Sequence, residues 1–308
     1  MRAILIQRHG IDTGDSMRNW KRGQGRVGFI RVDDPSYCYQ QAKKRKDLLT
    51  QEARVIKSKS PYWNYMFARN IPGTNVSEHE KIVKASRNFK YIFKFAREVH
   101  GADVRGLGRI IAVYGDSYWN YIFARYVPGA NIKDHANAVI SLGNMEINYK
   151  FSRDLQGADK ERFFKSILKH NNYEEFVNYM KKHHECFEYF EQEIMELDDP
   201  TLCYLIAKDI KGADIKRCGF SVILSKNPEL CYKFARDIHG VDIFPYEKVV
   251  LDSRDIKWNY LFAKDIKNAN IQAHIKRIGS VFDNNIIEEL NHISQDRAKQ
   301  KKLKKGLD

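Results

Sequence analysis

The chain has 308 residues, of which 43% are hydrophobic and 12% aromatic, and this composition excludes a wholly disordered protein. Its formal net charge is +14, but the basic excess lies at the ends: residues 1–60 carry 14 Lys and Arg against 6 Asp and Glu, whereas residues 61–290 carry 33 against 31. The nearly neutral body disfavours a uniformly basic nucleic-acid-binding surface.

Residues 1–34 differ from the rest of the chain, and we predict that they form a basic segment with a small β-hairpin. Arg2–Arg8 and Arg26–Val32 are short apolar runs of the kind that form strands. A polar, glycine-containing connection joins them.

This N-terminal connection is a candidate basic loop, with positive charges at Lys21, Arg22 and Arg26. It lacks the full Gly-x-x-x-x-Gly-Lys-Ser/Thr pattern of a P-loop. Two interpretations stay open: a flexible loop that contacts phosphates, and a solvated turn between strands.

Arg8-His9-Gly10 resembles the phosphohistidine motif of the histidine phosphatase family. The resemblance implies a nucleophilic His9 beside a charge-neutralising Arg8. It covers three residues only, and that family needs a large α/β domain and a second active-site histidine. Because helical repeats begin as early as Pro35, we predict that the chain is not an enzyme and uses no cofactor.

One pattern recurs through the body: an aromatic residue, a Tyr two positions later, then Phe-Ala-Arg/Lys and Gly-Ala-Asp/Asn. Its central residue, called here the marker, recurs every 28 residues apart from one step of 27, at Phe67, Phe95, Phe123, Phe151, Tyr179, Ile206, Phe234, Phe262 and Leu290. Apolar residues four before and four after the marker share one face of a helix with it. Such repetition predicts an all-α fold, an α-solenoid of helix–turn–helix repeats.

Two further columns predict where the helices of each repeat end and begin. Glycine, replaced once by Asn268, is expected to cap the first helix in the left-handed conformation at Gly73, Gly101, Gly129, Gly157, Gly212 and Gly240. Two positions later, an Asp or Asn is expected to cap the second helix at Asn75, Asp103, Asn131, Asp159, Asp214, Asp242 and Asn270. These columns therefore have a structural explanation.

The phrase Tyr-Lys-Phe-Ala-Arg-Asp-Ile-His-Gly-Val-Asp-Ile at 232–243, with its copies, resembles short helical repeats of phage and bacterial proteins. The resemblance covers most of residues 35–285. It implies a helical array and a phage source, but no activity and no site residues.

The repeats divide the chain further. Residues 35–172 and 200–290 are predicted to be two regular arrays. Residues 173–199 lack both caps but keep helical spacing, so we predict that their two helices merge into one long helix. Residues 291–308 are predicted to be a basic tail, disordered from Gln300 onward.

The odd number of cysteines, five, and the absence of a C-x-x-C motif argue against a disulfide framework. Cys38, Cys203 and Cys231 share one place in three repeats, which indicates a small apolar core position. No apolar run approaches the length of a membrane span or a signal peptide. We therefore expect a soluble protein of the reducing cytoplasm.

His183, His184 and Cys186 are candidate metal ligands because of their residue types and their closeness in the sequence. Adjacent side chains on a helix point in different directions, so these three do not converge, and we predict no metal site. The nearby glutamates suit a solvated helix face or an acidic docking surface.

The strongest candidate for binding is the aromatic–cation ladder, formed by the residues two before and two after each marker, which share a helix face. Its first four steps are the candidate site: Tyr65 and Arg69, Phe93 and Arg97, Tyr121 and Arg125, Tyr149 and Arg153. Later cations continue the column at Lys181, Lys208, Arg236 and Lys264. Stacked repeats would align these groups into one stripe.

Two interpretations of the ladder stay open. Rings and cations suit phosphates and stacked bases, or an acidic protein segment. Alternatively, the cations favour the helix dipole and lie on the Tyr one turn earlier, with neighbouring carboxylates neutralising them. Arg69 and Arg125 have no carboxylate directly after them, so a binding stripe is expected to be strongest there.

These observations lead to two hypotheses of function. The first is a non-enzymatic scaffold that binds a protein partner along its concave face, as a phage-encoded inhibitor of a host protein would. The second is an RNA- or DNA-binding solenoid that uses the ladder and the basic ends.

Overall fold

A computed structural model of the chain describes residues 33–279 and 284–305. Within these ranges all regular structure is helical and no strand is formed, which confirms the predicted all-α class. The predicted β-hairpin and the basic loop of Lys21, Arg22 and Arg26 lie outside the described residues, as does His9.

The described part of the chain contains nineteen helices. In chain order they are α1 (Pro35–Lys43), α2 (Leu48–Lys57), α3 (Pro61–Asn70), α4 (Val76–Ser86), α5 (Phe89–Glu98), α6 (Val104–Tyr114), α7 (Ser117–Tyr126), α8 (Ile132–Leu142), α9 (Met145–Asp154), α10 (Lys160–His170), α11 (Tyr173–Lys182), α12 (His184–Leu197), α13 (Pro200–Asp209), α14 (Ile215–Leu224), α15 (Pro228–Asp237), α16 (Phe244–Ser253), α17 (Ile256–Asp265), α18 (Ile271–Ile278) and α19 (Asn284–Lys305).

Odd-numbered helices up to α17 are the first helices of successive repeats, and even-numbered ones are the second helices. Within a repeat the two helices pack together, as in α7 with α8 and α13 with α14. Neighbouring repeats pack through their first helices, as in α13 with α15 and α15 with α17. This nearest-neighbour packing is what an array of helical repeats requires.

The chain divides into two compact units. One comprises residues 1–91 and 99–101, and its described part includes α1 to α4 around a core with Cys38, Val55 and Phe67. The other comprises residues 92–98 and 102–308 and includes α6 to α19. Residues of α5 belong to both units.

The markers form the core, as their spacing predicted. Eight of the nine have no exposed surface: Phe67, Phe95, Phe123, Phe151, Ile206, Phe234, Phe262 and Leu290. The shared cysteine position is also buried, at Cys38, Cys203 and Cys231. One large side chain per repeat is therefore buried in the core at a nearly constant spacing, as close packing of successive repeats requires.

The predicted glycine caps are confirmed. All six glycines of the column adopt φ between +79° and +86°, the left-handed region in which a Cβ is costly. Asn268, expected to substitute for glycine, does not share this conformation. Its Cβ makes left-handed backbone less favourable, and the turn after α17 avoids it.

The predicted N-caps are confirmed for six of the seven second helices. In each, the Asp or Asn side chain accepts a hydrogen bond from the backbone N–H three residues later, as Asn75 does from Glu78. Asp242 is the exception: α16 is capped by Ile243, and Asp242 accepts from the N–H of Phe244. The residue three after Asp242 is Pro245, which has no N–H to donate.

The prediction of one long helix in residues 173–199 is wrong. Helix α11 ends at Lys182 and α12 begins at His184, with His183 at φ −126° and ψ 75° between them. Phe176 of α11 and Phe190 of α12 belong to the same core. The two helices pack against each other, and a single non-glycine residue separates them.

The predicted disorder from Gln300 onward is wrong for residues 300–305, since α19 continues to Lys305. Leu290 is fully buried within it. Arg297 donates to the carbonyl oxygens of Ala263, Lys264 and Ile266, at 2.7 to 3.2 Å. These bonds satisfy the free carbonyls at the end of α17 and anchor α19 there.

Candidate functional site

The aromatic–cation ladder lies in the first helices, with each cation in the last turn. Successive rings and cations are four residues apart, so they meet on one helix face. The guanidinium of Arg97 lies 5.7 Å from the ring centre of Phe93, and that of Arg153 lies 4.9 Å from the ring centre of Tyr149. The predicted pairing within each repeat is therefore present.

The rings of the ladder are mostly inaccessible. Tyr65 is 1% exposed, Tyr121 7% and Tyr149 2%, while Phe93 is half-buried. Their faces pack against neighbouring helices, as Tyr149 does against Phe190. A base could not stack on these rings without unpacking the core.

The buried tyrosines direct their hydroxyl groups toward the surface, where the cations bind them. Arg69 donates to the Tyr65 hydroxyl at 2.9 Å, and Arg153 donates to the Tyr149 hydroxyl at 3.1 Å. The same arrangement recurs late in the chain, where Lys264 donates to Tyr260 at 2.8 Å. In these three steps the cation thus satisfies a hydroxyl group that burial would otherwise leave unpaired.

A carboxylate from the next repeat also binds the tyrosine and the cation. Sequence analysis did not identify which tyrosine and cation it binds. Tyr121 donates to Asp154, which also pairs with Arg125 and with Arg153, the latter at 2.7 Å. No carboxylate follows Arg125 directly in the sequence, yet its guanidinium is paired with one in the structure. Its carboxylate comes from a residue 29 positions away.

This contact repeats along the second unit. Tyr204 donates to Asp237, Tyr232 donates to Asp265, and Tyr260 donates to Glu289. In each case the carboxylate lies in the following first helix or in α19. The ladder therefore connects consecutive repeats through a chain of tyrosine, carboxylate and cation.

The electrostatics agree with this structural role. Burial opposes the ionisation of Asp154, but hydrogen bonds from Arg153 and Tyr121 outweigh it and lower the pKa of the carboxyl group. Burial, together with the hydrogen bond to Asp154, raises the pKa of Tyr121 although Arg125 acts in the opposite direction. The tyrosine stays a neutral donor and the carboxylate stays charged.

A buried polar cluster, missed by sequence analysis, lies between the helices of three repeats. Asn64 contacts His79, Asn120 contacts His135 and Asn259 contacts His274, each at 2.8 Å from the Asn Oδ1 to the His Nδ1. The signal was present in the sequence, because each Asn stands three residues before a marker and each His fifteen residues after the Asn.

These asparagines have a structural task. The side chain of Asn120 donates to the backbone carbonyls of Ile111 and Asp116, at 3.2 and 2.9 Å. It therefore joins the end of one second helix to the start of the next first helix. Burial lowers the pKa of His135 to about 4, so this imidazole is neutral at physiological pH.

The histidines considered as metal ligands are separated by the turn at His183. His183 and His184 are exposed and lie near Glu185 and Glu188, while Cys186 is buried in the core. In residues 33–279 and 284–305 no group of three His, Cys, Asp or Glu side chains is placed to hold a metal ion.

None of the described helices is both long and apolar enough to span a lipid bilayer. Comparisons with protein-family models, with curated proteins and with solved structures give no match to this chain. The function must therefore be argued from the geometry of its own side chains.

Proposed function

We propose that this chain is a non-enzymatic repeat scaffold that binds a protein partner. The observation that supports it is a contrast between two sets of side chains. The rings of the ladder are buried and its cations bind tyrosines and carboxylates of the array itself. Large apolar side chains are exposed elsewhere on the helices, including Val113, Tyr118, Phe220, Leu224 and Phe244.

Exposed apolar groups favour a protein partner because their burial against another chain is the main source of binding energy. Nucleic-acid binding has less support. A single strand would need ring faces to stack on and cations free of competing carboxylates. Tyr121 offers no ring face, and Asp154 beside it would repel phosphate.

The resemblance to phage repeats extends the proposal to an inhibitor of a host protein. An inhibitor needs no catalytic group, only a surface that occupies a partner. The five free cysteines are all buried, which suits a scaffold that works in a reducing cytosol.

The test is quantitative capture of partners from a host extract on the immobilised full chain, with and without nuclease. We expect a protein that is retained saturably and equally in both samples. Absence of any saturable partner would contradict the proposal, and so would a partner lost on nuclease treatment.

Titration of labelled single-stranded RNA and DNA at low and near-physiological salt tests the alternative. We expect weak binding that Arg69→Ala and Arg125→Ala leave unchanged relative to Lys133→Ala, an exposed control on α8. Tight, salt-sensitive binding that only the two ladder variants abolish would favour the nucleic-acid-binding solenoid.

A further inference from the structure

Two phenylalanines stand at outward positions that are polar in the other regular repeats, whereas the irregular repeat carries Tyr189 at one of them. Fourteen residues after the marker, the second helices carry Phe220 in α14 but a polar residue elsewhere: Lys81, Arg109, Asn137, Lys165, Lys248 and Lys276. Ten residues after the marker they carry Phe244 in α16, against Ser77, Arg105, Lys133, Glu161, Lys216 and Gln272.

Neither phenylalanine is used by the fold. Phe220 is 62% exposed and Phe244 is 67% exposed, as the polar residues at equivalent positions also are. Leu224, one turn after Phe220, is 56% exposed. Phe220 and Leu224, four residues apart on one face of α14, make an apolar patch that costs free energy in water, and Phe244 begins the packed helix α16.

The patch is concave. Two adjoining depressions, of about 530 and 450 Å³, share Ile223 and Pro245 as lining residues. We call this surface the α14–α16 groove; it is lined by Ile215, Phe220, Ile223, Leu224, Pro245 and Val249. Each flanking helix has ten residues, a length of about 15 Å, which matches roughly three turns of a docked helix.

The charges around the groove select its partner. Lys216, Lys226 and Lys248 line it, and within the described residues none of the three forms an ion pair. Two aspartates also line the groove. Asp242 accepts a hydrogen bond from the backbone N–H of Phe244, and Asp252 is the other negative charge. The free charge of the rim is therefore mainly positive.

The substitution that adds Phe244 also removes a carboxylate. In α10 the residue equivalent to Lys248 is Lys165, which pairs with Glu161 four residues earlier. In α16 that earlier position is Phe244. One change in the repeat thus exposes an aromatic ring and leaves a lysine beside it unpaired.

We propose that the α14–α16 groove binds an amphipathic helix of a partner protein, with Asp or Glu flanking its apolar face. The inference rests on the proposed function, since it locates the surface through which the scaffold binds. The apolar side chains of the helix occupy the two depressions, and its carboxylates meet Lys216, Lys226 and Lys248.

The first experiment measures binding of a labelled amphipathic peptide of about 14 residues, with leucines at helical spacing and flanking glutamates, to the full chain by fluorescence anisotropy. The matched peptide has lysine in place of glutamate. We expect saturable binding of the glutamate peptide only. Equal binding of both, or no binding of the glutamate peptide, would overturn the proposal.

The variants are Phe220→Lys and Phe244→Lys, which restore residues that other repeats carry and therefore should preserve the fold. We expect Phe220→Lys to weaken binding about tenfold or more, as loss of a central aromatic anchor does, and Phe244→Lys, at the start of the flanking helix α16, to weaken it less. Leu142→Ser on α8 is the control, because Leu142 is 51% exposed and Ser86 is its equivalent in α4. Unchanged binding in both Phe variants, with melting temperatures like the wild type, would exclude the groove.

The same variants separate this inference from the proposed function. If the protein captured from the host extract is retained by wild type and lost by Phe220→Lys but not by Leu142→Ser, the groove is its binding site. If Phe220→Lys retains it fully, the scaffold function stands and the groove is excluded. If wild type captures no partner, the proposed function itself fails, whatever the peptide does.

Discussion

The α7–α8 and α17–α18 repeats place asparagine and histidine at the same two buried positions but differ in the third residue of the cluster. This third residue stands twelve residues before the asparagine, in the second helix of the preceding repeat, and is Gly108 in one case and Glu247 in the other. Glu247 accepts hydrogen bonds from the backbone N–H of Asn270 and, at 3.2 Å, from His274 Nε2. At Gly108 a Cβ would lie 3.3 Å from His135 Nε2, so the ring itself fills the space.

The difference shows that one repeat framework accommodates a buried histidine with or without a carboxylate. In the α7–α8 repeat the ring of His135 packs 4.9 Å from that of Phe123, and the cluster has no acidic residue. In the α5–α6 repeat the same positions hold Ile92 and Leu107, both fully buried. The repeat therefore requires side chains that fill these buried positions, but they need not be polar.

The largest expected effect is the pH dependence of stability caused by His135. Because the folded-state pKa is about 4 and the unfolded value is 6.5, the unfolded chain binds the extra proton first. The stabilisation that comes from neutral His135 is present in full above pH 6.5. As the pH falls toward 4, the free energy of unfolding decreases by about 3 kcal/mol in total. Denaturant unfolding at several pH values between 7 and 4 measures it.

The control for that prediction is Asn120→Ile combined with His135→Leu, which copies the α5–α6 repeat. Replacing both hydrogen-bonding partners by apolar groups is often nearly neutral, so this variant should fold. Its stability should fall less steeply with acid than that of the wild type. Equal slopes in the two proteins would show that His135 is not responsible.

A smaller effect is expected from Glu247→Ala, which makes the α17–α18 cluster resemble the α7–α8 cluster. The backbone N–H of Asn270 and the ring of His274 would each lose a buried acceptor, which costs about 2 kcal/mol. Glu247→Gln keeps an acceptor oxygen and should lose less. Thermal unfolding of both variants checks the order, and equal losses would count against the hydrogen bonds as the cause.

The smallest effects concern the carboxylates of the ladder in the same two repeats. Asp154, with a side chain 9% exposed, binds Tyr121, Arg125 and Arg153, so Asp154→Ala should cost about 1 kcal/mol, and less at high salt. Glu289, with a side chain 43% exposed, plays the equivalent role for Tyr260, and Glu289→Ala should cost less than Asp154→Ala. The reverse order, measured by denaturant unfolding at two salt concentrations, would contradict the burial argument.

Several local features could be predicted from residues alone. Helix periodicity located the buried markers, and the glycine column predicted left-handed turns, because these properties depend on spacing and on the absence of a Cβ. The wrong predictions concern helix ends whose structure depends on more than the repeat pattern. Pro245 shifted the cap of α16, and His183 ended a helix although no sequence signal marked it.

The candidate site could be predicted only in part. The spacing of Tyr121 and Arg125 predicted that they would meet, since residues four apart share a helix face. The contact with Asp154 could not be predicted, because it depends on how one repeat rotates against the next. Burial of the tyrosine rings, which disfavours base stacking, also depends on the packing between repeats. It could not be predicted from the sequence for the same reason.

The amino-acid sequence by itself determined the all-α class, the 28-residue repeat, the core markers and most helix caps. All of these follow from local backbone chemistry or from the period of apolar residues along one helix. The tertiary structure decided which carboxylate neutralises Arg125, where α19 is anchored, and that Phe220 borders an apolar groove between α14 and α16. These features join residues far apart in the chain, and their positions depend on the packing between helices.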